Sequence, residues 1–304
     1  MNARVELAAE RLLGALQSRQ ELRGAKVTEC ISAKDSRAVF AGRFKGRSVV
    51  FKHFSGEDAH EQTAALEAEM TYQWARMSTG ACRVPEPLWF APELGLAIMA
   101  QVSAERLDLL ISGETRAQFI SHSAEWLREY SRDRQRKAEF SPRFWVRQNR
   151  RLIPQHEAPE DRERARRLVK WMLSRVGALN GREILQTRSH GDFFTANLLY
   201  ADGVMYGVDL HNQTWLPVAK DVARYLVHLS ITHPVATDHR ICGLPSEDVR
   251  GFLAAFGMLD EQDPLLAFFV ASELAGRLAM ESIDEAHHAS KQGLVDGFLE
   301  GKGI

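Results

Sequence analysis

Short runs of β-branched and aromatic residues dominate the chain up to about residue 105, and glycine, serine or charged residues bound each run. This pattern is typical of β-strands. It predicts strands at 26–32, 38–44, 48–53 and 94–100, with a hairpin turn at Lys45-Gly46-Arg47. One predicted helix, 56–77, interrupts the strands and is followed by the break Pro85-Glu86-Pro87.

Beyond residue 105 the apolar positions mostly recur with helical spacing. They predict helices at 104–111, 114–130, 159–176, 217–230, 247–256 and 265–289. Two short β-type runs, 197–200 and 204–208, flank the turn Ala201-Asp202-Gly203 and predict a hairpin. The chain is therefore expected to be an α+β protein with a small, mostly β lobe (1–102) and a larger, mostly helical lobe (103–304).

Composition adds little to this picture. The 304 residues are 45% hydrophobic and 26% charged with a formal net charge of -1, so no overall bias toward nucleic acid or anionic membranes exists. The three cysteines lie far apart with no Cys-x-x-Cys spacing, which argues against a disulfide framework or a zinc cluster and favours a reducing cytoplasm: Cys30, Cys82 and Cys242.

Two segments bear on membrane association. The first sixteen residues interrupt their apolar positions with charges, so they predict an amphipathic helix and not a signal peptide. The longest apolar stretch, 265–275, is broken by Ser272 and Glu273 and is too short to span a bilayer. A soluble protein without a membrane span is expected.

The densest group of polar residues lies at 190–197, His190-Gly191-Asp192-Phe193-Phe194-Thr195-Ala196-Asn197, and Gly207-Val208-Asp209-Leu210 follows the predicted hairpin. This order resembles the catalytic and metal-binding segments of aminoglycoside phosphotransferases and choline kinases, which are relatives of the protein kinases. The resemblance implies a protein-kinase-like bilobal fold. It also implies that ATP and Mg²⁺ are cofactors and that a hydroxyl group of a small molecule accepts the γ-phosphate.

The resemblance assigns a role to each of these residues. Asp192 would be the catalytic carboxylate that aligns the acceptor hydroxyl, and Asn197 and Asp209 would be metal ligands, in keeping with the preference of Mg²⁺ for oxygen. His190 and Asp221 would support the catalytic loop from behind. The competing interpretation treats Asp192 and Asn197 as turn residues beside a hairpin, and Asp221 as an ordinary first-turn helix residue.

Lys52 lies within the apolar run 48–53, where a charged group is costly unless it has a partner. By resemblance it would bind the nucleotide phosphates and be braced by a glutamate of the following helix. We expect Glu67 and not Glu69 to face inward, because steps of three, four and seven residues from 67 reach Met70, Thr71 and Trp74. The alternative is an edge-strand lysine that reaches solvent.

Other nucleotide contacts follow from the resemblance alone. Ser36 lies in the expected phosphate loop, 32–38, and the main chain of Ala100 and Val102 would contact the base. The loop departs from the kinase pattern because it contains no glycine, and His211-Asn212 stands where many relatives have another acidic residue. A nucleotide-binding pseudoenzyme without turnover is therefore the alternative function. A protein substrate finds no support, since no Ala-Pro-Glu segment follows Asp209.

Two regions point to acceptors of opposite charge. The stretch 131–151 is rich in arginine, which favours either a solvated helical insertion or an anionic acceptor. The last predicted helix carries acidic residues that would hold a cationic acceptor: Glu273, Glu281, Asp284 and Glu285. The sequence leaves the acceptor and the oligomeric state open, and we expect no nucleic-acid partner.

Overall fold

The structure is a computed structural model of the chain. It describes residues 3–156, 158–210 and 214–301. The chain forms two compact units. Unit 1 contains residues 1–105 and 199–213, and unit 2 contains residues 106–198 and 214–304. The junction after residue 105 is close to the expected lobe boundary at 102. The segment 199–213 was expected in the helical lobe, but it belongs to unit 1.

Ten α-helices lie within the described residues. Their bounds are α1 Ala3–Gln17, α2 Ala59–Met77, α3 Leu107–Leu110, α4 Arg116–Ser131, α5 Pro142–Leu152, α6 Pro159–Leu179, α7 Val218–Thr232, α8 Ser246–Phe256, α9 Pro264–Leu278 and α10 Glu285–Leu299.

Fourteen strands lie within the same ranges, several of them only two residues long. Their bounds are β1 Lys26–Ala33, β2 Arg37–Phe44, β3 Arg47–Phe54, β4 Cys82–Arg83, β5 Pro87–Ala91, β6 Leu96–Ala100, β7 Glu105–Arg106, β8 Gln135–Glu139, β9 Glu183–Arg188, β10 Leu198–Ala201, β11 Val204–Gly207, β12 Trp215–Pro217, β13 Arg240–Ile241 and β14 Leu244–Pro245.

Unit 1 is built on a five-stranded antiparallel sheet with the order β1-β2-β3-β6-β5. Its β2–β3 hairpin turns at Lys45 and Gly46, which both have positive φ. The helix α1 buries Leu12 and Leu16 in the same apolar cluster as Phe40 and Phe51 of the sheet. The helix α2 packs against β3, β5 and β6. The central strand β3 is thus paired on both sides and covered by helix.

The segment 199–213 joins unit 1 through strand pairing. Its strand β11 runs parallel to β4, with Met205 opposite Cys82 and Tyr206 opposite Arg83. A hydrogen bond of 2.8 Å from the Met205 N–H to the Ala81 carbonyl extends the pairing. The hairpin residues 201–203 have the turn expected from the sequence, with positive φ at Asp202 and Gly203.

Unit 2 is mostly helical, and α9 lies at its centre, packed against α5, α6, α7 and α10. The sequence predicted one helix over 265–289, and this was wrong. The helix α9 ends at Leu278, and α10 begins after Asp284, whose side chain accepts a hydrogen bond from the His287 N–H. This carboxylate cap starts a new helix where the apolar spacing alone indicated a continuous one.

The basic stretch 131–151 is not a wholly helical insertion. Its first part is β8, which pairs with β9 in a three-stranded sheet of order β12-β9-β8, and its second part is α5. On β8, Lys137 forms an ion pair with Glu183 of β9 at 2.7 Å. Within the described ranges, none of the helices combines the length and the apolar character needed to cross a membrane.

Candidate active site

Lys52 lies on β3, opposite Val39 of β2 on one side and Ala97 of β6 on the other. It is therefore in the middle of the sheet, and the edge-strand interpretation is wrong. Its side chain is only 3% exposed, and its Nζ lies 2.5 Å from Oδ1 of Asp209. A buried ammonium needs such a partner, because an unpaired charge in the interior is strongly unfavourable.

Asp209 also meets a second cation. Nη1 of Arg37, at the start of β2, lies 3.4 Å from the same Oδ1 atom. The backbone of Asp209 has φ of 65°, a left-handed conformation that is uncommon for residues other than glycine. Such positions are enriched at functional sites. Sequence reasoning missed Arg37, although its place in the expected phosphate loop was an available signal.

The inward-facing glutamate of α2 is Glu69 and not Glu67. Glu69 is fully buried, whereas Glu67 is only partly buried. The buried face of the helix is Thr63, Leu66, Glu69, Met70, Gln73 and Met77. Within it, Nε2 of Gln73 donates to Oε1 of Glu69 at 2.8 Å. The expectation for Glu67 assumed an apolar face, but here two polar side chains satisfy each other inside the unit.

The nucleotide contacts expected in unit 1 lie on two loops. Ser36 is exposed in the turn between β1 and β2, and its carbonyl accepts a hydrogen bond from the Ser55 N–H at 2.9 Å. Ala100 ends β6 and donates its N–H to the Glu86 carbonyl at 2.9 Å. Val102 lies beyond the strand, and its main chain forms no hydrogen bond with any other described residue. The main-chain groups of Val102 are thus better placed than the Ala100 N–H to accept a new partner.

In unit 2, the loop that follows β9 is held by a buried carboxylate of α7. Asp221 accepts hydrogen bonds from the Ser189 hydroxyl at 2.7 Å and from the main-chain N–H groups of His190 and Gly191 at 3.0 and 3.2 Å. Gly191 has φ of 78°, which allows the chain to turn sharply before Asp192. The structure thus brings Asp221 to the loop that contains Asp192.

His190 is completely buried among aromatic rings, with Trp126, Tyr130 and Phe193 within 6 Å of its ring centroid. Its Nδ1 accepts a hydrogen bond from the Asp192 N–H at 3.4 Å. Asn197 ends a 3₁₀ turn, and its Nδ2 donates to the Asp192 carbonyl at 2.8 Å. The Asn197 amide is oriented by this bond, and its Oδ1 is the atom that remains for a cation.

The side chain of Asp192 is 41% exposed, in contrast to the buried groups that hold its backbone. Arg224 of α7 approaches it closely, because Nη1 lies 3.3 Å from Oδ1 of Asp192 and also donates to the Gly191 carbonyl. Sequence reasoning missed Arg224, although it lies only three residues after Asp221 in the predicted helix 217–230. The loop therefore presents one solvent-accessible carboxylate on a fixed backbone.

Glu273 of α9 lies at the other side of Arg224. Its Oε1 accepts from Nε of Arg224 at 3.1 Å and from Nε of Arg277 at 3.3 Å. Burial alone would raise the pKa of Glu273, but the charges of Arg224, Arg277 and Lys220 hold it below its usual value. Burial likewise opposes the charge of Arg224, yet Glu273 and Asp192 raise its pKa.

His228, one turn beyond Arg224, packs beside the loop. Its ring centroid lies 4.7 Å from that of Phe194, and its Nδ1 is 3.5 Å from the Thr195 hydroxyl. Burial, reinforced by the positive charge of Arg277, lowers the pKa of His228 to about 3. His228 is therefore neutral near pH 7, and it contributes no positive charge to the surroundings of Asp192.

The expected site residues thus fall into two sets. Unit 1 contains Lys52, Asp209, Ser36, Ala100, Val102 and the glutamates of α2, and unit 2 contains Asp192, Asn197, His190 and Asp221. The two positions weighed as a further acidic site, His211 and Asn212, lie outside the described residues.

Solved structures with the same arrangement of elements decide the fold. Amicoumacin kinase hAmiN, in complex with AMP-PNP, Ca²⁺ and Ami, matches with a TM-score of 0.60 and 11% identity over 99% of this chain and 96% of that one. Macrolide 2'-phosphotransferase MphH from Brachybacterium faecium matches with a TM-score of 0.57 and 16% identity over 94% and 97%. The chain has the fold of kinase-like small-molecule phosphotransferases.

A third structure with this phosphotransferase fold is the ADP-bound aminoglycoside phosphotransferase APH(2'')-Ib. It has a TM-score of 0.55 and 13% identity over 95% of this chain and 99% of that chain. No family model matches the sequence, and no curated protein matches it either. The phosphotransferase fold extends over nearly the whole chain, so the two-lobed α+β architecture expected from the sequence is confirmed.

Proposed function

We propose that the protein is an enzyme that transfers the γ-phosphate of ATP to a hydroxyl group of a small molecule, with Mg²⁺ as cofactor. The observation that carries this proposal is the ion pair between Lys52 and Asp209, which lie 157 residues apart in the sequence. A buried lysine in the central strand, paired with a carboxylate in left-handed conformation, is costly to maintain for stability alone. Kinase-type phosphoryl transfer uses both groups.

The donor atoms are suited to the proposed metal. Asn197 and Asp209 offer an amide oxygen and a carboxylate, and hard oxygen donors of this kind are what Mg²⁺ prefers. Mg²⁺ held by such donors would neutralise charge on the phosphates of the nucleotide. Lys52 and Arg37 would supply further positive charge for those phosphates, since both already contact Asp209 in unit 1.

Asp192 would act on the acceptor. Its carboxylate is the exposed member of a rigid loop, and a carboxylate can accept the hydrogen bond of a hydroxyl group and orient its oxygen for attack. Asp221, His190 and Asn197 hold the backbone of this loop, so that the position of the carboxylate is fixed before the substrate binds. We assign His190 and Asp221 to positioning, whereas Asn197 would both hold the loop through its amide nitrogen and bind the metal through its amide oxygen.

The comparisons support the same class of reaction. Two of the three structures described above contain ADP or AMP-PNP, and these three proteins act, by their names, on an aminoglycoside, a macrolide or amicoumacin. A glucosamine kinase in complex with glucosamine and ADP also matches, with a TM-score of 0.52 and 14% identity. Phosphorylation of a small molecule is the activity that these proteins share.

The test begins with nucleotide binding. We expect Mg²⁺ with ADP or AMP-PNP to raise the melting temperature, because a ligand that binds only the folded state stabilises it. Asp209→Asn should weaken the Mg²⁺-dependent affinity measured by calorimetry by about tenfold or more, because even the loss of a group that only supports a metal ligand costs about that much. Asp202→Asn is the matched control, since Asp202 is an exposed residue of the adjacent hairpin turn. Equal affinities in wild type and Asp209→Asn would remove Asp209 from the metal site.

One observation favours the alternative, a nucleotide-binding module without turnover. The β1–β2 turn, residues 34–36, is short, exposed and free of glycine, and the Lys34 N–H is already donated to the Arg37 carbonyl at 2.8 Å. Few main-chain amides therefore point to a phosphate there. Binding of Mg²⁺-ADP without ATP consumption across a broad panel of hydroxylated metabolites would favour this alternative.

A further inference from the structure

A cluster of charged side chains surrounds Asp192 in unit 2. Lys220 and Arg224 lie one turn apart on α7, and Glu273 and Arg277 lie one turn apart on α9. Trp145 of α5 completes the cluster, with its ring centroid 5.0 Å from that of Phe269 on α9. Three cations thus accompany one glutamate next to the proposed catalytic carboxylate.

The glutamate is not available to a cationic ligand. Oε1 of Glu273 already accepts from both Arg224 and Arg277, and its side chain is only 12% exposed. Of the other acidic residues considered in the sequence, Asp284 is engaged as the cap of α10. As far as the structure describes this cluster, its one glutamate is paired with arginine and does not offer the free carboxylate that a polycationic acceptor would need.

Lys220 is in the opposite situation. Among the described residues, no carboxylate lies within ion-pair distance of its Nζ and no side chain or carbonyl accepts a hydrogen bond from it. Its ammonium lies 5.7 Å from the ring centroid of Trp145, which provides a weak cation–π contact. Burial, together with the nearby charge of Arg224, lowers the pKa of Lys220, and the more distant carboxylates of Glu273, Asp221 and Asp192 offset this lowering only in part.

An anionic group of a ligand would supply this compensation. We propose that Lys220 binds a phosphate or carboxylate group of the acceptor, so that the substrate of this protein is an anionic, hydroxyl-bearing small molecule. The inference rests on the proposed phosphotransfer at Asp192, because that carboxylate defines where the acceptor hydroxyl lies. Arg224 and Arg277 strengthen the preference, since they would repel a cationic acceptor.

The test measures anion binding by the full chain, with and without saturating Mg²⁺-ADP. Inorganic phosphate, acetate and glucosamine serve as probes of phosphate, carboxylate and cationic ligands, each titrated against chloride at constant ionic strength. We expect phosphate or acetate to raise the melting temperature of the wild type by about 2–4 °C at several times its Kd, and glucosamine to have no such effect. The more effective anion identifies which acidic group the acceptor carries.

Variants locate the response. Lys220→Gln should lose at least five-fold in affinity for the effective anion, while Lys220→Arg, which keeps the charge, should retain it. Lys170→Gln is the matched control, because Lys170 is exposed on α6. An unchanged anion response in Lys220→Gln, stabilisation by glucosamine alone, or no response of the wild type would each overturn the inference. The shift with Mg²⁺-ADP is a separate readout, and its absence would count against the proposed phosphotransferase instead.

Discussion

The two sets of candidate site residues are held in different ways. In unit 1, Lys52 and Asp209 hold each other through a direct ion pair, with Arg37 on the same carboxylate oxygen. In unit 2, Asp192 is held through its backbone, and its carboxylate stays 41% exposed. To bind a ligand, Lys52 and Asp209 would have to give up part of their contact with each other. Asp192, whose main chain is held in place, could act on a substrate without such a rearrangement.

The difference predicts what substitutions do. Replacing a group that acts on substrate should impair activity and leave folding intact. Replacing a group that only positions the backbone should impair both, because the loop itself is loosened. The following experiments separate these cases.

The largest effect is expected for Asp192→Asn. This change keeps the size of the side chain but removes the carboxylate that would orient the acceptor hydroxyl, so ATP turnover should fall by about 10³-fold. Mg²⁺-ADP affinity and the free energy of unfolding should stay near their wild-type values, because Asp192 is partly exposed. Steady-state ADP release, calorimetry and urea unfolding measure the three quantities. Full activity in Asp192→Asn would exclude the catalytic role.

Lys52→Met should reduce kcat/KM for ATP by about 10²-fold, the scale typical for loss of one positioned cationic or hydrogen-bond donor to a reacting group. Methionine fits the buried strand position, and Arg37 remains beside Asp209, so the fold should tolerate the change. Lys26→Met on β1 is the control, because Lys26 is exposed. A loss of stability without any change in nucleotide affinity would mean that the pair with Asp209 is structural only.

Asp221→Asn tests backbone positioning. The carboxylate accepts three hydrogen bonds from residues 189–191, and an amide cannot accept them all equally well. We expect a loss of about 2 kcal/mol in the free energy of unfolding, and a fall in kcat that exceeds any rise in KM for ATP. Asp238→Asn, at an exposed position after α7, provides the control. Unchanged stability with normal kcat would show that the loop does not depend on Asp221.

The loop in unit 2 could be predicted from the sequence because its functional groups lie within eight consecutive residues. Their spacing carries the information, and the structure brings Asp192 and Asn197 into direct contact. The contacts of Arg224 could not be predicted in the same way. They join residues 33 and 49 positions apart, and nothing in a local pattern specifies which helices will pack together.

Sequence reasoning chose Glu67 over Glu69 for a reason that can be identified. It judged the helix by its apolar members and chose the face of Glu67, which includes Met70 and Trp74. In the structure, Gln73 and Glu69 bond to each other and are buried together. A polar pair at i and i+4 can therefore face the interior when its members satisfy each other. The turn 34–36 is short, and Arg37 lies beside Asp209, because of the register in which β1, β2 and β3 pair. The sequence does not specify this register.

The smallest effect, a pH dependence, concerns His228. Its pKa is lowered to about 3 in the folded protein by burial, whereas the unfolded chain binds a proton near the ordinary value of 6.5. Stability from the neutral ring is thus complete above pH 6.5 and is lost as the pH falls toward 3. Between pH 6.5 and 5.5 this loss should be about 1 kcal/mol. Urea unfolding of wild type and His228→Gln measures it, with His60→Gln, an exposed position on α2, as control. His228 lies beside Phe194 and Thr195, in the loop that contains Asp192. An equal acid slope in wild type and His228→Gln would mean that the His228 ring takes up its proton in the folded state as readily as in the unfolded chain.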